Sequence, residues 1–394
     1  MSTTSPPFAD VVHLDVGAGR PLPTPGPLGR RALVVLWDGD RPVGQLRVAP
    51  GEDPGAAIRS FEPPAEVPSE VPSRTTGRPR TASVVICTRD RADQLERCLA
   101  SLPRQSRPPD EVIVVDNASL GSETRRVALA AGARYVREDR PGLDIARNTG
   151  LRSAASDVVA YTDDDTELHP RWLERLVDAF DREDVMAVTG LVLPATLDTE
   201  ARWLFEEQWG FGRGFLRTDF GPEWYLATRT TGSPTWEFGA GANMAFRRSV
   251  ADTVGFFDQR LDVGAAGCSG DSEYWYRILA AGGTCRYEPS AVLFHHHRSD
   301  LDGLRDQIFH YMRGHVAALL VQYERTGDVG NLRRLTSLLP VWFWKRFLTR
   351  VRRGRRPDNR LLGTEVLGAV AGVLYYGSAR WLRRIPRDPL PAGG

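Results

Sequence analysis

The sequence has few cysteines and almost no net charge. Its four cysteines among 394 residues show no C-x-x-C spacing and are too sparse for a disulfide scaffold, so we expect reduced, largely buried thiols. Lys and Arg number 51 against 50 Asp and Glu, which gives a formal net charge of +1. Because the chain has no basic excess, it has no global attraction to a polyanion, and we expect no nucleic-acid partner.

The chain also lacks an apolar run of membrane-spanning length. The longest uncharged, largely apolar stretch, residues 366–379, is shorter than the roughly 18 residues that a spanning helix needs. Residues 1–9 contain Ser, Thr and Pro where a secretory signal carries a basic patch and an apolar core. We therefore predict no transmembrane helix and no export by this route, and we expect a cytoplasmic protein.

Enough apolar sequence is present for a sizeable core. Hydrophobic residues make up 41% and charged residues 26% of the chain, which is typical of globular proteins. Residues 31–37 and 42–48 have the composition of β-strands and flank Asp38-Gly39-Asp40, a hairpin-turn sequence. We expect a small β-module at 1–49 and an extended linker at 50–81, because prolines recur throughout that segment.

Residues 82–300 alternate apolar strands with helical stretches. This series predicts an α/β domain whose Rossmann-like, mostly parallel sheet is flanked by helices on both faces. Residues 193–236 are less regular and have the character of an insertion, and residues 301–394 read as a helical C-terminal region. The expected strands are 83–87, 111–115, 133–136, 157–162, 185–191, 237–246, 284–288 and 291–295, and the expected helices are 91–102, 123–131, 143–154, 170–180, 248–254 and 271–281.

Polar residues follow three of the expected strands. Ligands of parallel sheets bind beyond the carboxyl ends of the strands, and these ends carry Thr88-Arg89-Asp90, Asp116-Asn117 and Asp163-Asp164-Asp165. Neighbouring carboxylates suit a hard divalent cation, Mg2+ or Mn2+. The alternative interpretation is an acidic turn that caps the helix starting near Pro170.

Four further motifs follow in order along the chain. They are the segment 239–248 (GAGANMAFRR), the segment 255–258 (GFFD), the segment 270–273 (GDSE) and the histidines 295–297. Together with the three strand ends, this order resembles the family 2 glycosyltransferases with the GT-A fold. The resemblance covers residues 82–299, over half of the chain. It implies a nucleoside-diphosphate sugar donor and an acceptor hydroxyl on a saccharide, a lipid-linked molecule or another acceptor, usually with inversion at the anomeric carbon.

The resemblance also implies a donor site. It places Thr88, Arg89, Asp90 and Asp116 at the nucleotide base and ribose. Arg147, within the sequence ARNTG, matches a family segment near the nucleotide. On this basis we expect the nucleotide to bind along the carboxyl ends of the first two strands of the domain.

A metal site and the rest of the donor site follow from the same resemblance. Asp163 and Asp165 match the D-x-D motif, in which the first carboxylate lies near the ribose and the last contacts the metal. Asp164 between them is assigned to the donor, and so is Asn243, which lies where the family strand passes the donor sugar. His295 can complete the coordination of Mg2+ or Mn2+, although such hard ions prefer oxygen. The alternative for His295 is a polar strand end.

Asp271 matches the aspartate that acts as general base in this family. The attacking hydroxyl is a poor nucleophile at neutral pH, so a carboxylate must take its proton as the new bond forms. The chain departs from the family pattern here, because Gly270 stands where many members have Glu. Glu273 is the nearest other acid, and we expect a structural or acceptor-binding role for it. The alternative for both acids is favourable charge at a helix N-terminus.

Two other functions share parts of this pattern. A sugar nucleotidyltransferase shares the nucleotide fold and the acidic metal ligands, but residues 87–91 (CTRDR) lack the glycine-rich triphosphate loop expected of it. A non-catalytic, nucleotide-sugar-binding membrane scaffold is the second alternative. The presence of both Asp165 and Asp271 disfavours it.

The C-terminal region carries a basic, aromatic segment. Residues 341–360 begin with the sequence VWFW, and eight Lys or Arg and one Asp follow it. Aromatic and basic residues together suit the headgroup region of an anionic membrane. We therefore expect peripheral association with the inner face of the cell membrane. A solvated basic face beside ordinary core aromatics is the alternative.

Overall fold

The computed structural model describes most of the chain. Residues 63–79, the greater part of the expected linker, lie outside the described residues. So do 355–359, which include two of the basic residues counted above, Arg355 and Arg356. The described residues are 8–17, 26–62, 80–354 and 360–382.

The N-terminal module is a three-stranded sheet. It contains β1 (Asp10–Asp15), β2 (Ala32–Asp38) and β3 (Arg41–Val48). The hairpin of β2 and β3 agrees with the sequence, since the two strands pair antiparallel around Gly39, whose φ is 62°. Strand β1, which pairs parallel with β2, was not predicted from the sequence. Sequence reasoning also missed α1 (Gly55–Arg59), where the buried side chain of Ile58 joins the core of the module within the expected linker.

The main domain is built on a nine-stranded sheet. Its strands are β4 (Ala82–Thr88), β5 (Glu111–Asn117), β6 (Arg134–Glu138), β7 (Val158–Asp163), β8 (Thr166–Leu168), β9 (Val185–Pro194), β10 (Thr218–Phe220), β11 (Asn243–Arg247) and β12 (Thr284–His295). Its helices are α2 (Ala92–Ser101), α3 (Glu123–Ala130), α4 (Leu143–Ser153), α5 (Trp172–Asp178), α6 (Glu200–Trp209), α7 (Pro222–Thr228), α8 (Val250–Val254) and α9 (Gly270–Ala280).

The strand order is β10-β12-β9-β11-β7-β4-β5-β6, and β8 pairs with the end of β12. Strands β4, β5, β6, β7, β9 and β12 run in one direction, whereas β11 runs against its neighbours β7 and β9. Apolar side chains cover both faces of the sheet. Leu95 of α2 and Trp172 of α5 are buried on one face, and Leu151 of α4 and Trp275 of α9 on the other. The predicted α/β class with a mostly parallel sheet is confirmed.

Two strand predictions were wrong in detail. The strand expected at 237–246 begins only at Asn243, because Gly239 adopts a φ of 152° and the chain before it forms a 3-10 turn. The two strands expected at 284–288 and 291–295 are one strand, β12, whose pairing with β9 is interrupted around Pro289. Proline has no N–H to give to a ladder, which explains the gap in the pairing.

The C-terminal region is helical, as expected. It contains α10 (Leu301–Thr326), α11 (Val329–Arg333), a π-helical turn (Arg334–Leu338), α12 (Leu339–Arg353) and α13 (Leu362–Leu382). Gly368 and Gly372 let α13 approach the backbone of α10 closely, since a Cβ at either position would collide with carbonyls of α10. Among the described residues, none of the helices has both the length and the apolar character needed to cross a membrane.

Candidate active site

A cleft of about 1650 Å3 opens at the carboxyl ends of the strands. Five residues that the sequence singled out line it together: Arg147, Asp163, Asp165, Asp271 and His295. They come from α4, from the β7–β8 turn, from the start of α9 and from the end of β12. More than a hundred residues of sequence separate the β7–β8 turn from α9, so the sheet and its connections bring these groups to one place.

Two carboxylates and one imidazole form a compact cluster in this cleft. One ligand atom each from Asp163, Asp165 and His295 lies within 4.8 Å of the others. The register of β8 against β12 fixes this arrangement, because Thr166 pairs with His295 and the His296 N–H donates to the Asp165 carbonyl at 2.9 Å. Burial raises the pKa of Asp163, and the nearby Arg147 guanidinium opposes that rise.

One buried oxygen of the cluster lacks a hydrogen-bond partner among the described residues, and a divalent cation would fit it. Asp165 Oδ1 lies 3.2 Å from His295 Nε2, yet it is buried and has no hydrogen-bond partner among the described residues. An unsatisfied buried carboxylate oxygen is costly. A cation held by two carboxylates and an imidazole would satisfy that oxygen, and this donor set is common for divalent metals.

A hydrogen-bonded chain extends from His295 into the protein. His295 Nδ1 lies 3.1 Å from His297 Nδ1, and His297 Nε2 lies 3.3 Å from Glu206 Oε2 on α6. The aromatic rings of Phe205 and Phe211 pack on His297. Burial raises the pKa of Glu206 to about 7 and lowers the pKa of His297. These hydrogen bonds orient the His295 ring, as outer hydrogen bonds do for metal-ligating histidines.

Arg147 and Asp271 face each other across Gly241. A Cβ at Gly241 would lie 2.6 Å from Arg147 Nη2 and 2.7 Å from Asp271 Oδ2, so only glycine leaves room for both groups. Arg147 is buried and donates from Nη1 to Asp144 Oδ1 at 3.0 Å. Asp271 is partly exposed, and its Oδ1 accepts the Ser272 N–H at 2.7 Å.

The start of α9 has a strained backbone that presents Asp271. Ser269 has a φ of 80°, which is uncommon for a residue with a side chain. A Cβ at Gly270 would collide with the Asp144 carboxylate, so a glutamate would not fit at this position in the observed arrangement. Burial raises the pKa of Asp144 to about 8 despite the opposing charge of Arg147. Ser269 and Gly270 thus give α9 an entry that no bulkier pair of residues could adopt.

Four of the expected donor residues follow β4 or β7 but do not line the cleft. Thr88 Oγ1 donates to Asp164 Oδ2 at 2.7 Å, and both side chains are buried. Burial and the neighbouring Asp165 raise the pKa of Asp164 to about 6. Arg89 and Asp90 have exposed side chains further along this edge.

Asp116 is fully buried at the end of β5. It accepts hydrogen bonds from the Tyr135 hydroxyl at 2.7 Å, from Arg137 Nη1 at 3.0 Å and from the Ser119 N–H at 3.1 Å. Burial opposes ionisation of Asp116, but these hydrogen bonds outweigh it and lower the pKa of the carboxyl. Asp116 therefore organises the end of β5, and it does not line the cleft.

Asn243, expected beside the donor sugar, lies inside the sheet between β9, β11 and β12. Asn243 is fully buried between strands, and it does not line the cleft. Its amide donates to the carbonyls of Leu191 and Ala291 at 2.9 Å each and accepts from Trp172 Nε1 at 2.8 Å. The side chain therefore joins β9, β11 and β12 through its hydrogen bonds.

Sequence reasoning missed other residues of the cleft. Arg91, expected only as a helix start, lies 3.5 Å from Asp165 Oδ2 and 3.2 Å from Asp164 Oδ1. Arg213 comes from the insertion at 193–236, where no sequence signal marked its position. The C-terminal helices close the far side of the cleft with Leu338, Leu339, Trp342, Arg346 and Glu365.

Comparison with known proteins gives a family match over this domain. Residues 83–255 match the model of the family described as Glycosyl transferase family 2. A glucosyl-dolichyl phosphate glucuronosyltransferase of Haloferax volcanii is 28% identical over 184 residues, which cover 45% of this chain and 55% of that protein. A pre-mycofactocin glycosyltransferase of Mycobacterium tuberculosis is 28% identical over 292 residues, 69% of this chain and 58% of that protein. The chain therefore spans little more than half the length of these relatives.

Solved structures are similar to this chain as well. The mannosyltransferase PcManGT from Pyrobaculum calidifontis, in complex with GDP-Man and Mn2+, aligns at 20% identity with a TM-score of 0.47. The alignment covers 79% of this chain and 89% of that chain.

Proposed function

We propose, from the glycosyl transferase family 2 domain that residues 83–255 form, that the chain is a metal-dependent glycosyltransferase. It moves a sugar from a nucleoside-diphosphate sugar to an acceptor hydroxyl, with inversion at the anomeric carbon. The observation that carries the proposal is the shared cleft: the Asp163, Asp165 and His295 cluster and the Arg147 and Asp271 pair line the same cavity.

The donor diphosphate would bind on the side of the metal cluster. Loss of the diphosphate from the sugar leaves negative charge on the leaving oxygens, and fixed positive groups stabilise that charge. Arg147 and Arg91 both lie beside the cluster and can supply this stabilisation. Asp163, Asp165 and His295 would hold the divalent ion, which when bound neutralises charge on the phosphate oxygens. The imidazole ligand makes Mn2+ a better fit than Mg2+.

Asp271 would accept the proton of the acceptor hydroxyl. Its Oδ2 lies against Gly241 at the cleft surface, and its Oδ1 is held by the Ser272 N–H. A carboxylate fixed in this way can take the proton as the hydroxyl attacks the anomeric carbon. A single base is enough for inversion, because the attacking oxygen replaces the leaving phosphate in one displacement.

The acceptor would be a saccharide or lipid-linked hydroxyl, at the cytoplasmic face of the cell membrane, in synthesis of a cell-envelope polysaccharide or glycolipid. Two relatives support this class. The Haloferax volcanii protein is named a glucosyl-dolichyl phosphate glucuronosyltransferase. A Rhizobium meliloti relative, 28% identical over 216 residues, is named a succinoglycan biosynthesis protein.

A panel of UDP-, GDP- and dTDP-sugars tests the proposal. Thermal unfolding is measured with each donor, with and without Mn2+, and donor hydrolysis is followed in the same samples. We expect one donor class to raise the unfolding temperature only when Mn2+ is present, because ligands of the native state stabilise it. Asp165→Asn should abolish the part of this rise in unfolding temperature that depends on Mn2+. Asp306→Asn is the matched control, since Asp306 lines the cleft outside the cluster.

The same panel separates the alternatives. A nucleotidyltransferase would respond to a nucleoside triphosphate with a sugar phosphate and would release pyrophosphate. A non-catalytic scaffold would bind a donor without hydrolysing or transferring it. Either result would contradict the proposed function. So would donor binding that does not depend on Mn2+ in the unchanged protein or in Asp165→Asn.

A further inference from the structure

Helix α12 presents large apolar side chains to solvent. Trp344, Phe347 and Val351 are 59%, 46% and 66% exposed, and at 100° per residue they share one side of the helix. The rings of Trp344 and Phe347 stack with centroids 5.6 Å apart. Val341 begins the same surface and is 50% exposed. A helix that exposes two large aromatic rings and two valines carries an apolar surface that a partner would cover.

Basic side chains border these apolar groups. Lys345 and Arg352 are exposed on α12, and Arg350 is partly exposed. Residues 339–354 and 360–382 contain seven Lys or Arg and one acidic residue, Glu365. That carboxylate is buried and paired with Arg346, so it adds no negative charge to the surface. We define the apolar-basic surface of α12 by the side chains of Val341, Trp344, Lys345, Phe347, Arg350, Val351 and Arg352.

The charge decides which partner fits. A second copy of the chain, docked by the same surface around a two-fold axis, would bring two sets of positive charges together. An anionic bilayer offers the opposite charge, and its interface accepts Trp and Phe side chains beside Lys and Arg. From this surface we infer that α12 docks the protein on anionic membranes, with Trp344 and Phe347 inserted at the headgroup level.

Docking by α12 also orients the cleft. Leu338, Leu339 and Trp342 of the same segment line its far side, so the cleft wall continues into the apolar-basic surface. Trp342 is itself 43% exposed, which makes the junction between cleft and surface apolar. This consequence rests on the proposed function: the acceptor is an amphiphile whose hydroxyl end enters the cleft while its lipid end stays in the bilayer.

Vesicle flotation tests the docking without any catalytic step. The full chain is mixed at low salt with phosphatidylcholine vesicles that contain either no anionic lipid or one-third phosphatidylglycerol. We expect flotation only with the anionic vesicles and its loss at high salt. The triple variant Lys345→Gln, Arg350→Gln, Arg352→Gln should bind on the order of 100-fold more weakly, and Trp344→Ser with Phe347→Ser at least about tenfold more weakly.

Matched controls exclude a general effect of charge or surface area. Arg59, Arg104 and Arg248 are exposed on other elements, and their combined change to Gln removes the same charge. Leu129→Ser removes an exposed apolar side chain of α3. Both controls should float as the unchanged protein does. Equal binding by the α12 variants, equal binding to neutral vesicles, or no binding at low salt would overturn the inference.

Lys345 gives a direct readout, because it is the only lysine in the chain. Labelling with an amine-reactive, polarity-sensitive fluorophore marks this position, and Lys345→Arg reports any label on the N-terminus. Anionic vesicles should shift the emission of the labelled protein to shorter wavelength and leave the Lys345→Arg sample unchanged. Docking variants should keep Mn2+-dependent donor binding, so loss of docking and failure of the proposed function give different results.

Discussion

The two walls of the cleft are built on different principles. On the sheet side, Asp163 and His295 end strands, and ladder pairing fixes their positions to the residue. On the helical side, Trp342 and Arg346 belong to α12, and Arg346 forms an ion pair with Glu365 of α13. Under the proposed function, we expect the bond-making groups on the sheet side and acceptor recognition on the helical side.

The largest expected effect tests the sheet side. Asp271→Asn removes the proposed base but keeps the shape of the side chain. Transfer to the acceptor should fall about 10²- to 10⁴-fold, while Mn2+-dependent donor affinity stays within about twofold, since the base acts on the acceptor proton. Steady-state transfer rates and donor titrations on the same preparations measure both quantities. Transfer at the unchanged rate would remove Asp271 from the mechanism.

The next effect concerns the hydrogen bonds that link His295 to His297 and Glu206 behind the metal cluster. His297→Ala removes the partner of His295 Nδ1 and leaves the cluster itself intact. Mn2+ affinity, measured by calorimetry without donor, should fall about 10- to 100-fold, because outer hydrogen bonds orient the ligating ring. His296→Ala is the matched control, since its ring pairs with Glu167. Equal losses in both variants, or none in His297→Ala, would show that these hydrogen bonds do not position His295.

A third change tests whether Asn243 stabilises the sheet or binds the donor. Asn243→Ala leaves Trp172 Nε1 and two strand carbonyls without their partner. The free energy of unfolding should fall by about 3 kcal/mol, as expected for several buried groups that lose hydrogen bonds. Urea unfolding measures this loss, and donor affinity well below the midpoint should be unchanged. A stable variant with weak donor binding would return Asn243 to the donor site.

The smallest effect tests the helical side. Trp342→Ala removes an aromatic side chain that lines the cleft but lies outside the metal cluster. The acceptor KM should rise several-fold, while donor Kd and Mn2+ affinity stay the same, as expected when an aromatic contact contributes binding without chemistry. Kinetics at varied acceptor and saturating donor measure the change. A change in donor affinity instead would contradict the division between the walls.

The two walls also differ in what the sequence reveals. The strand-end residues Asp163, Asp165 and His295 could be located in advance, because strand periodicity marks where each strand stops and parallel strands stop at one edge. The surroundings of Asn243 could not be predicted in this way, because periodicity does not show that its amide bonds to Trp172 and to two strand carbonyls. The family match over 83–255 confirms the motif reading at the level of the family.

The helical wall could not be found in this way. Periodicity predicts that α10 and α12 are helices, but it does not predict which faces meet. Their placement depends on distant contacts, such as the approach of Gly368 to the backbone of α10 and the pairing of Arg346 with Glu365. Likewise, nothing in the local sequence around Glu206 indicates a hydrogen bond to His297, 91 residues away.

Under the proposed function, the metal cluster and the base Asp271 serve one cleft. Anomalous X-ray scattering at the manganese edge, from crystals grown with Mn2+ and a nucleoside diphosphate, tests it most directly. We expect one strong peak among Asp163, Asp165 and His295, with the diphosphate between that peak and Arg147. A peak at another place in the protein, or a nucleoside diphosphate bound outside the cleft that Asp271 lines, would contradict it.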